Sequence, residues 1–157
     1  MTALPPKTLL VALGNPLSGD DGFGPLVLEQ LQAGTDLKPA VTFLDAGTDL
    51  LNHIEGFAGY DRVLLIDAIL DPEAKLGPPG RVAVVEESGF LSWSEASGGV
   101  HQISPLIGIK LFRTLYPEAR TRIGLVGLFV DQLSHYPIYM TGEKIQEAVE
   151  ILQSLLR

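Results

Sequence analysis

Two adjacent carboxylates, Asp20 and Asp21, follow an apolar run near the beginning of the chain. The run covers residues 9–13, and a turn of Gly, Asn, Pro and Ser residues joins it to the two acids. Such a run predicts a buried strand that brings both side chains to the rim of a sheet. Adjacent carboxylates at a buried rim are costly unless something positive binds them. The pattern therefore indicates a cation or an electrophile as the ligand.

Two more aspartates and a histidine are expected at the same rim. Asp45 follows the second apolar run, Asp67 ends the third, and His101 stands in a loop before a predicted helix. Carboxylate oxygen and imidazole nitrogen suit Zn, Ni, Mn or Fe. A catalytic metal needs about three protein ligands and one open position. Asp21, Asp67 and His101 would supply that number, with Asp20 and Asp45 as further candidates.

Some of these residues also have structural interpretations. An aspartate before a helix start, such as Asp20, often serves as a cap or a dipole partner. Asp45 precedes an Ala-Gly pair and could simply form a turn. Asp67 ends a four-residue apolar run, where a purely structural role is harder to explain. His53 is expected either at the surface or with its polar atoms satisfied by a partner, and His135 is expected in a structural turn, so neither is assigned to the site.

The elements that must position these residues alternate along the chain. Helices are predicted at residues 23–34, 48–57, 104–116 and 141–156, and strands at residues 7–13, 40–45, 62–67, 80–86 and 122–130. The alternation predicts an α/β fold of three layers, with a mainly parallel five-stranded sheet between helices. The strand at 80–86 alternates enough to be an edge or antiparallel strand. In such a sheet, sites lie beyond the carboxyl ends of the strands.

Composition limits the classes of function. The chain has 157 residues, 46% of them hydrophobic, which predicts one globular domain spanning residues 1–157. The net charge of −8 disfavours nucleic-acid binding. No apolar stretch is long enough for a membrane span, and no signal peptide is recognisable, so a cytoplasmic location is the default expectation. The absence of cysteine excludes thiolate ligands from this protein's own site.

The Gly-rich turn before the first helix also has an alternative interpretation as a phosphate cradle. The segment at residues 22–24 falls short of a G-x-G-x-x-G pattern, and no Walker lysine follows it. Asp20 and Asp21 would also repel an anion. Phosphate binding is therefore ranked below metal binding.

The segment from Leu13 to Gly24, LGNPLSGDDGFG, resembles the opening motif of the hydrogenase maturation proteases. The resemblance continues through residues 44–48, 65–68 and 101–102, in the order expected for that family, and covers nearly the whole chain. These endopeptidases remove a C-terminal extension from the large subunit of [NiFe]-hydrogenases. The resemblance implies the same activity here, with the hydrogenase large-subunit precursor as the partner.

The resemblance also implies roles for individual residues. In the family, an acid of the first motif, the aspartate after the third strand and the loop histidine contact the metal, which correspond to Asp21, Asp67 and His101. Some members have Glu at the first of these positions, where this chain has the shorter Asp. The implied metal is nickel, supplied by the precursor and used to recognise that it is ready for cleavage. Two alternatives stay open: a metal-assisted hydrolase that carries its own ion, and a nonenzymatic metal- or nucleotide-binding module.

Overall fold

A computed structural model describes residues 2–34, 40–93 and 105–157. The strands are β1 (Thr8–Leu13), β2 (Val41–Gly47), β3 (Arg62–Leu70), β4 (Val82–Glu86) and β5 (Arg122–Val130). The α-helices are α1 (Phe23–Ala33), α2 (Glu87–Phe90), α3 (Pro105–Leu115) and α4 (Gly142–Leu155). Short 3₁₀ helices span Gly19–Gly22 and Ile54–Gly59.

The five strands form one mainly parallel sheet, as the sequence predicts. Their order is β2-β1-β3-β5-β4, and every neighbouring pair is parallel except β4 with β5. The strand predicted at residues 80–86 to be an edge or antiparallel strand is β4, which is both. Parallel pairing places the carboxyl ends of β1, β2, β3 and β5 at one edge of the sheet, which is called the carboxyl edge below.

Apolar side chains cover both faces of the sheet. Helices α1 and α4 pack on one face, against alternate residues such as Leu10, Ile66 and Val126. Helix α3, the second 3₁₀ helix and α2 pack on the other, against residues such as Val11 and Leu65. Burial of each such side chain contributes about 1.5–3 kcal/mol, so the two clusters hold the strands and helices together as three layers.

Two predicted elements differ from the structure. The third strand does not end at Asp67: β3 continues to Leu70, because β5 pairs with it through the partners Leu70 and Val130. The predicted helix at residues 48–57 is replaced by turns and the 3₁₀ helix Ile54–Gly59. The amides of Asp49 and His53 donate to carbonyls three residues back, which gives tight turns in place of α-helix.

Helix α1 approaches the sheet closely beside the candidate site. A Cβ at Gly24 would collide with the carbonyl oxygens of Leu13 and Ile66, so only glycine allows this contact. The start of α1 and the acids before it are thus fixed against the ends of β1 and β3. None of the described helices is both long enough and apolar enough to span a membrane.

Candidate functional site

Asp67 lies one residue beyond the last position at which β3 pairs with β1. Pairing between β1 and β3 ends at Ala12 and Ile66, while β3 continues alongside β5, with Asp67 opposite Gly127. Side chains alternate across a strand, so Asp67 shares a face with Leu65 and Ile69, the face covered by α3. Asp67 is only 5% exposed.

One oxygen of the Asp67 carboxyl finds no hydrogen-bond donor among the described residues. This atom, Oδ1, is buried. Burial raises the pKa of Asp67 well above its ordinary value, and repulsion from Asp21 raises it further; a backbone hydrogen bond from Ala68 acts in the opposite direction. A buried carboxyl in this state requires a proton or a cation to offset its charge.

Asp21 is held beside Asp67 by the turn that precedes α1. The Asn15 amide donates to Asp21 Oδ2 at 2.9 Å, and the Asp21 amide donates to the carbonyl of Ser18 at 3.1 Å. Gly14 has a φ of +120°, and the carbonyl of Asp21 packs directly against it. A Cβ at position 14 would collide with that carbonyl, so the position requires glycine. The side chain of Asp21 is also buried. Because the charge of Asp21 raises the pKa of Asp67, the two carboxyls form an electrostatically coupled pair.

Asp20 is bound to a different segment. Its Oδ1 accepts hydrogen bonds from the amides of Ile138, Tyr139 and Met140 at 2.8–3.0 Å, and its Oδ2 accepts from Tyr139 at 3.2 Å. Residues 131–141, which connect β5 to α4, are called the β5–α4 loop below. The amides of this loop account for the burial of Asp20 without a metal ion.

Asp45 lies at the same edge but on the other face of the sheet. It shares a face of β2 with Val41 and Phe43, which pack on the α1 side of the sheet, whereas Asp67 lies on the opposite side. The side chain is exposed, and its Oδ1 accepts a hydrogen bond from the Gly47 amide at 3.0 Å. This contact matches the turn-forming interpretation.

His101 lies outside the described residues. Helix α3, which follows it in the sequence, begins at Pro105 and packs on the face that carries Asp67. His135 is exposed in the β5–α4 loop, and His53 is half-buried in the turn before the second 3₁₀ helix. Across residues 2–34, 40–93 and 105–157, no three His, Asp or Glu side chains cluster so as to hold a metal. The described part of the site is therefore the pair Asp21 and Asp67.

One buried aspartate at the carboxyl edge was not predicted. Asp71 follows β3 directly, and its carboxylate accepts hydrogen bonds from the amides of Lys75 at 3.0 Å and Leu76 at 2.7 Å. It shapes the connection between β3 and β4. The Asp-Pro pair at positions 71 and 72 is a turn signal that could have revealed this role.

Comparison with known proteins gives a consistent result. A family model described as hydrogenase maturation protease, HycI, matches residues 25–156, a range that begins after Asp21 and includes Asp67. The hydrogenase expression/formation protein HupD of Rhizobium leguminosarum bv. viciae is 32% identical over 122 residues. The corresponding HoxM of Cupriavidus necator is 30% identical over 153 residues. These alignments cover 76% and 94% of this chain, and they span 58% of HupD and 72% of HoxM.

Solved structures show the same architecture. The [NiFe] hydrogenase maturation protease HybD from Thermococcus kodakarensis is 26% identical, with a TM-score of 0.71 over 96% of this chain and 99% of that one. The hydrogenase maturating endopeptidase HybD from E. coli has a TM-score of 0.73 over 96% and 92% of the two chains. At 22% identity, this second match bears on the fold alone.

Proposed function

Since this chain belongs to the hydrogenase maturation protease family, we propose that it is the endopeptidase that removes the C-terminal extension of a [NiFe]-hydrogenase large-subunit precursor. Cleavage follows insertion of nickel into the precursor. The nickel is part of the substrate, and Asp21, Asp67 and His101 recognise it.

The observation that carries this proposal is the buried Oδ1 of Asp67, which has no hydrogen-bond partner among the described residues and is close enough to Asp21 for that charge to raise its pKa. A cation arriving with the substrate would offset both the burial of Asp67 and its repulsion from Asp21. Carboxylate oxygens alone are weak ligands for nickel compared with thiolates, and this chain contains no cysteine. The remaining coordination is therefore assigned to the precursor.

The proposed cleavage is the hydrolysis of one peptide bond. Hydrolysis adds the hydroxyl of water to the scissile carbonyl carbon and a proton to the leaving amide nitrogen. Asp21, Asp67 and His101 would hold the nickel of the precursor, and the ion would supply a Lewis acid that could polarise that carbonyl or lower the pKa of a bound water. Asp21 lies on a fixed turn and Asp67 lies on a strand, so together they could hold the ion in a defined position relative to the peptide bond.

The decisive experiment compares nickel-free and nickel-loaded precursor, each with protease that has or has not been pretreated with nickel. We expect a mobility shift of the loaded precursor only, whatever the pretreatment. Efficient cleavage of nickel-free precursor by metal-treated protease would instead identify a hydrolase that carries its own ion. No cleavage of either form would refute the proposed function.

The role assigned to His101 has matched controls in the other two histidines. His101→Ala should abolish cleavage of the loaded precursor, whereas His53→Ala and His135→Ala should retain it. All three variants should keep the circular dichroism spectrum of the wild type. Loss of activity in a folded His53 or His135 variant would show that the wrong histidine had been assigned.

A further inference from the structure

An exposed apolar surface lies next to the Asp21 turn. Leu17 is 86% exposed and stands four residues before Asp21, and Tyr136 is 78% exposed in the β5–α4 loop. Leu133 and Ile138 of the same loop are also exposed. These four side chains are called the apolar rim below. Exposed apolar side chains concentrated on neighbouring segments are typical of interaction surfaces.

The two segments that carry the apolar rim are held together by close packing and by hydrogen bonds. Gly19, with φ of +57°, packs so closely on the carbonyls of Ser134 and Tyr136 that a Cβ would collide with both. One residue later, the Asp20 carboxylate accepts the amides of residues 138–140. Tyr139 and Met140 then pack their side chains against the α1 and α4 face of the core. The β5–α4 loop is therefore anchored to the turn that also carries Asp21.

The segments that carry the apolar rim contain no acidic or basic residues of the Asp, Glu, Lys or Arg type, although the chain as a whole is acidic. The protein carries a net charge of −8, yet residues 14–19 and 132–138 contain no Asp, Glu, Lys or Arg. An uncharged apolar surface beside a carboxylate pair fits an uncharged apolar peptide segment better than a charged one.

We propose that the apolar rim docks an uncharged, apolar segment of the precursor close to the bond that is cleaved. Asp20 is the positioning residue, because it holds the β5–α4 loop against the turn that carries Leu17. This inference rests on the proposed function. Anchoring before substrate arrives reduces the ordering that binding would otherwise require. Asp20 contributes to precursor binding through the loop, and Asp21 and Asp67 act on the metal.

Steady-state cleavage of nickel-loaded precursor tests the docking surface. Leu17→Ser and Tyr136→Ser should each raise KM about tenfold with kcat within about twofold, because each removes an apolar contact made equally in the ground and transition states. The matched control is Leu115→Ser, which changes a 57% exposed leucine at the end of α3 that leads into β5. Its KM should equal that of the wild type.

The positioning role is tested by combining variants. Asp20→Asn keeps one acceptor oxygen and removes the charge, so it should raise KM and speed hydrogen exchange at the amides of residues 138–140. In the double variant with Tyr136→Ser, the KM effects should be less than additive in free energy, since both changes act on one surface. Additive effects would refute the positioning role, and unchanged KM in Leu17→Ser and Tyr136→Ser would refute the docking surface. Wild-type protein that fails to cleave the precursor would instead refute the proposed function, and this inference with it.

Discussion

Asp20 and Asp67 are both buried aspartates at the carboxyl edge, yet their charges are compensated in different ways. Asp20, which is 1% exposed, accepts hydrogen bonds from three backbone amides. Asp67 retains a buried oxygen without a partner among the described residues, and burial and Asp21 raise its pKa. The first carboxylate is satisfied by the fold itself. The second is left for something that the chain does not supply in its described part.

This contrast shows why burial alone does not identify a functional acid. The deciding property is whether donors meet the carboxylate. Backbone amides that donate to Asp20 make it a link between two segments. Asp67 Oδ1 meets no donor in the described part of the chain, which makes Asp67 a candidate ligand. The four predictions below test that distinction, beginning with the largest effect.

Asp67→Asn should reduce cleavage of nickel-loaded precursor by about 10³-fold or more, because the amide keeps the shape of the carboxyl but loses its charge toward the metal. Mobility shift of the precursor measures the loss. The variant should remain folded by circular dichroism. Activity near the wild-type level would remove Asp67 from the site and leave its unpaired oxygen without a function.

Asp20→Ala should destabilise the protein by on the order of 3 kcal/mol, because three amides lose a charged acceptor in a buried place. Urea denaturation measures the free energy of unfolding. A loss below about 0.5 kcal/mol, the usual range for surface changes, would mean that the loop does not depend on this carboxylate.

Asp67→Asn should stabilise the protein, in contrast to Asp20→Ala, and the gain in the free energy of unfolding should depend on pH. The pKa of Asp67 is raised in the folded protein above its ordinary value of 3.8, so the folded state binds the proton more tightly than the unfolded chain. The stability associated with that proton is complete below the unfolded pKa and is lost as pH rises through the folded pKa.

The Asn variant has no such titration, so its stability relative to the wild type should increase as pH rises. Each unit of raised pKa corresponds to about 1.4 kcal/mol. Urea denaturation of both proteins between about pH 4 and about pH 8 measures the trend. A difference that stays constant across this range would contradict the coupling between burial and protonation.

Asp45→Asn should have the smallest effect. The side chain is exposed, and Asn can still accept the Gly47 amide, so the free energy of unfolding should change by less than about 0.5 kcal/mol. Cleavage should stay within about twofold of the wild type. A larger loss of activity would place a third acid in the site and weaken the contrast between Asp20 and Asp67.

Much of the fold follows from the pattern of apolar residues. Apolar runs predict the strands, helical spacing of apolar residues predicts α1, α3 and α4, and the alternation of strands with helices predicts the mainly parallel sheet, because all three patterns are visible over short stretches of sequence. The end of β3 could not be predicted in this way. It is set by pairing with β5, which is distant in the sequence.

The site was predictable in its residue types but not in its division of roles. Asp20 and Asp21 are adjacent and chemically identical in the sequence. Asp20 meets the amides of residues 138–140, more than a hundred positions away, and Asp21 meets Asn15 in its own turn. Only the folded chain brings the β5–α4 loop to one of these two acids.

The continuation of β3 beyond β1 has a consequence for how the site could be engineered. Asp67 belongs to a strand that is hydrogen-bonded to β5 for three further residues, so its backbone does not depend on any surface loop. The apolar rim, by contrast, lies entirely on connections between elements. Asp67 and the apolar rim therefore lie on different parts of the chain, whereas Asp21 shares its turn with Leu17. Transplanting the β1–α1 turn and the β5–α4 loop together from a relative should exchange substrate preference while leaving Asp67 where it is.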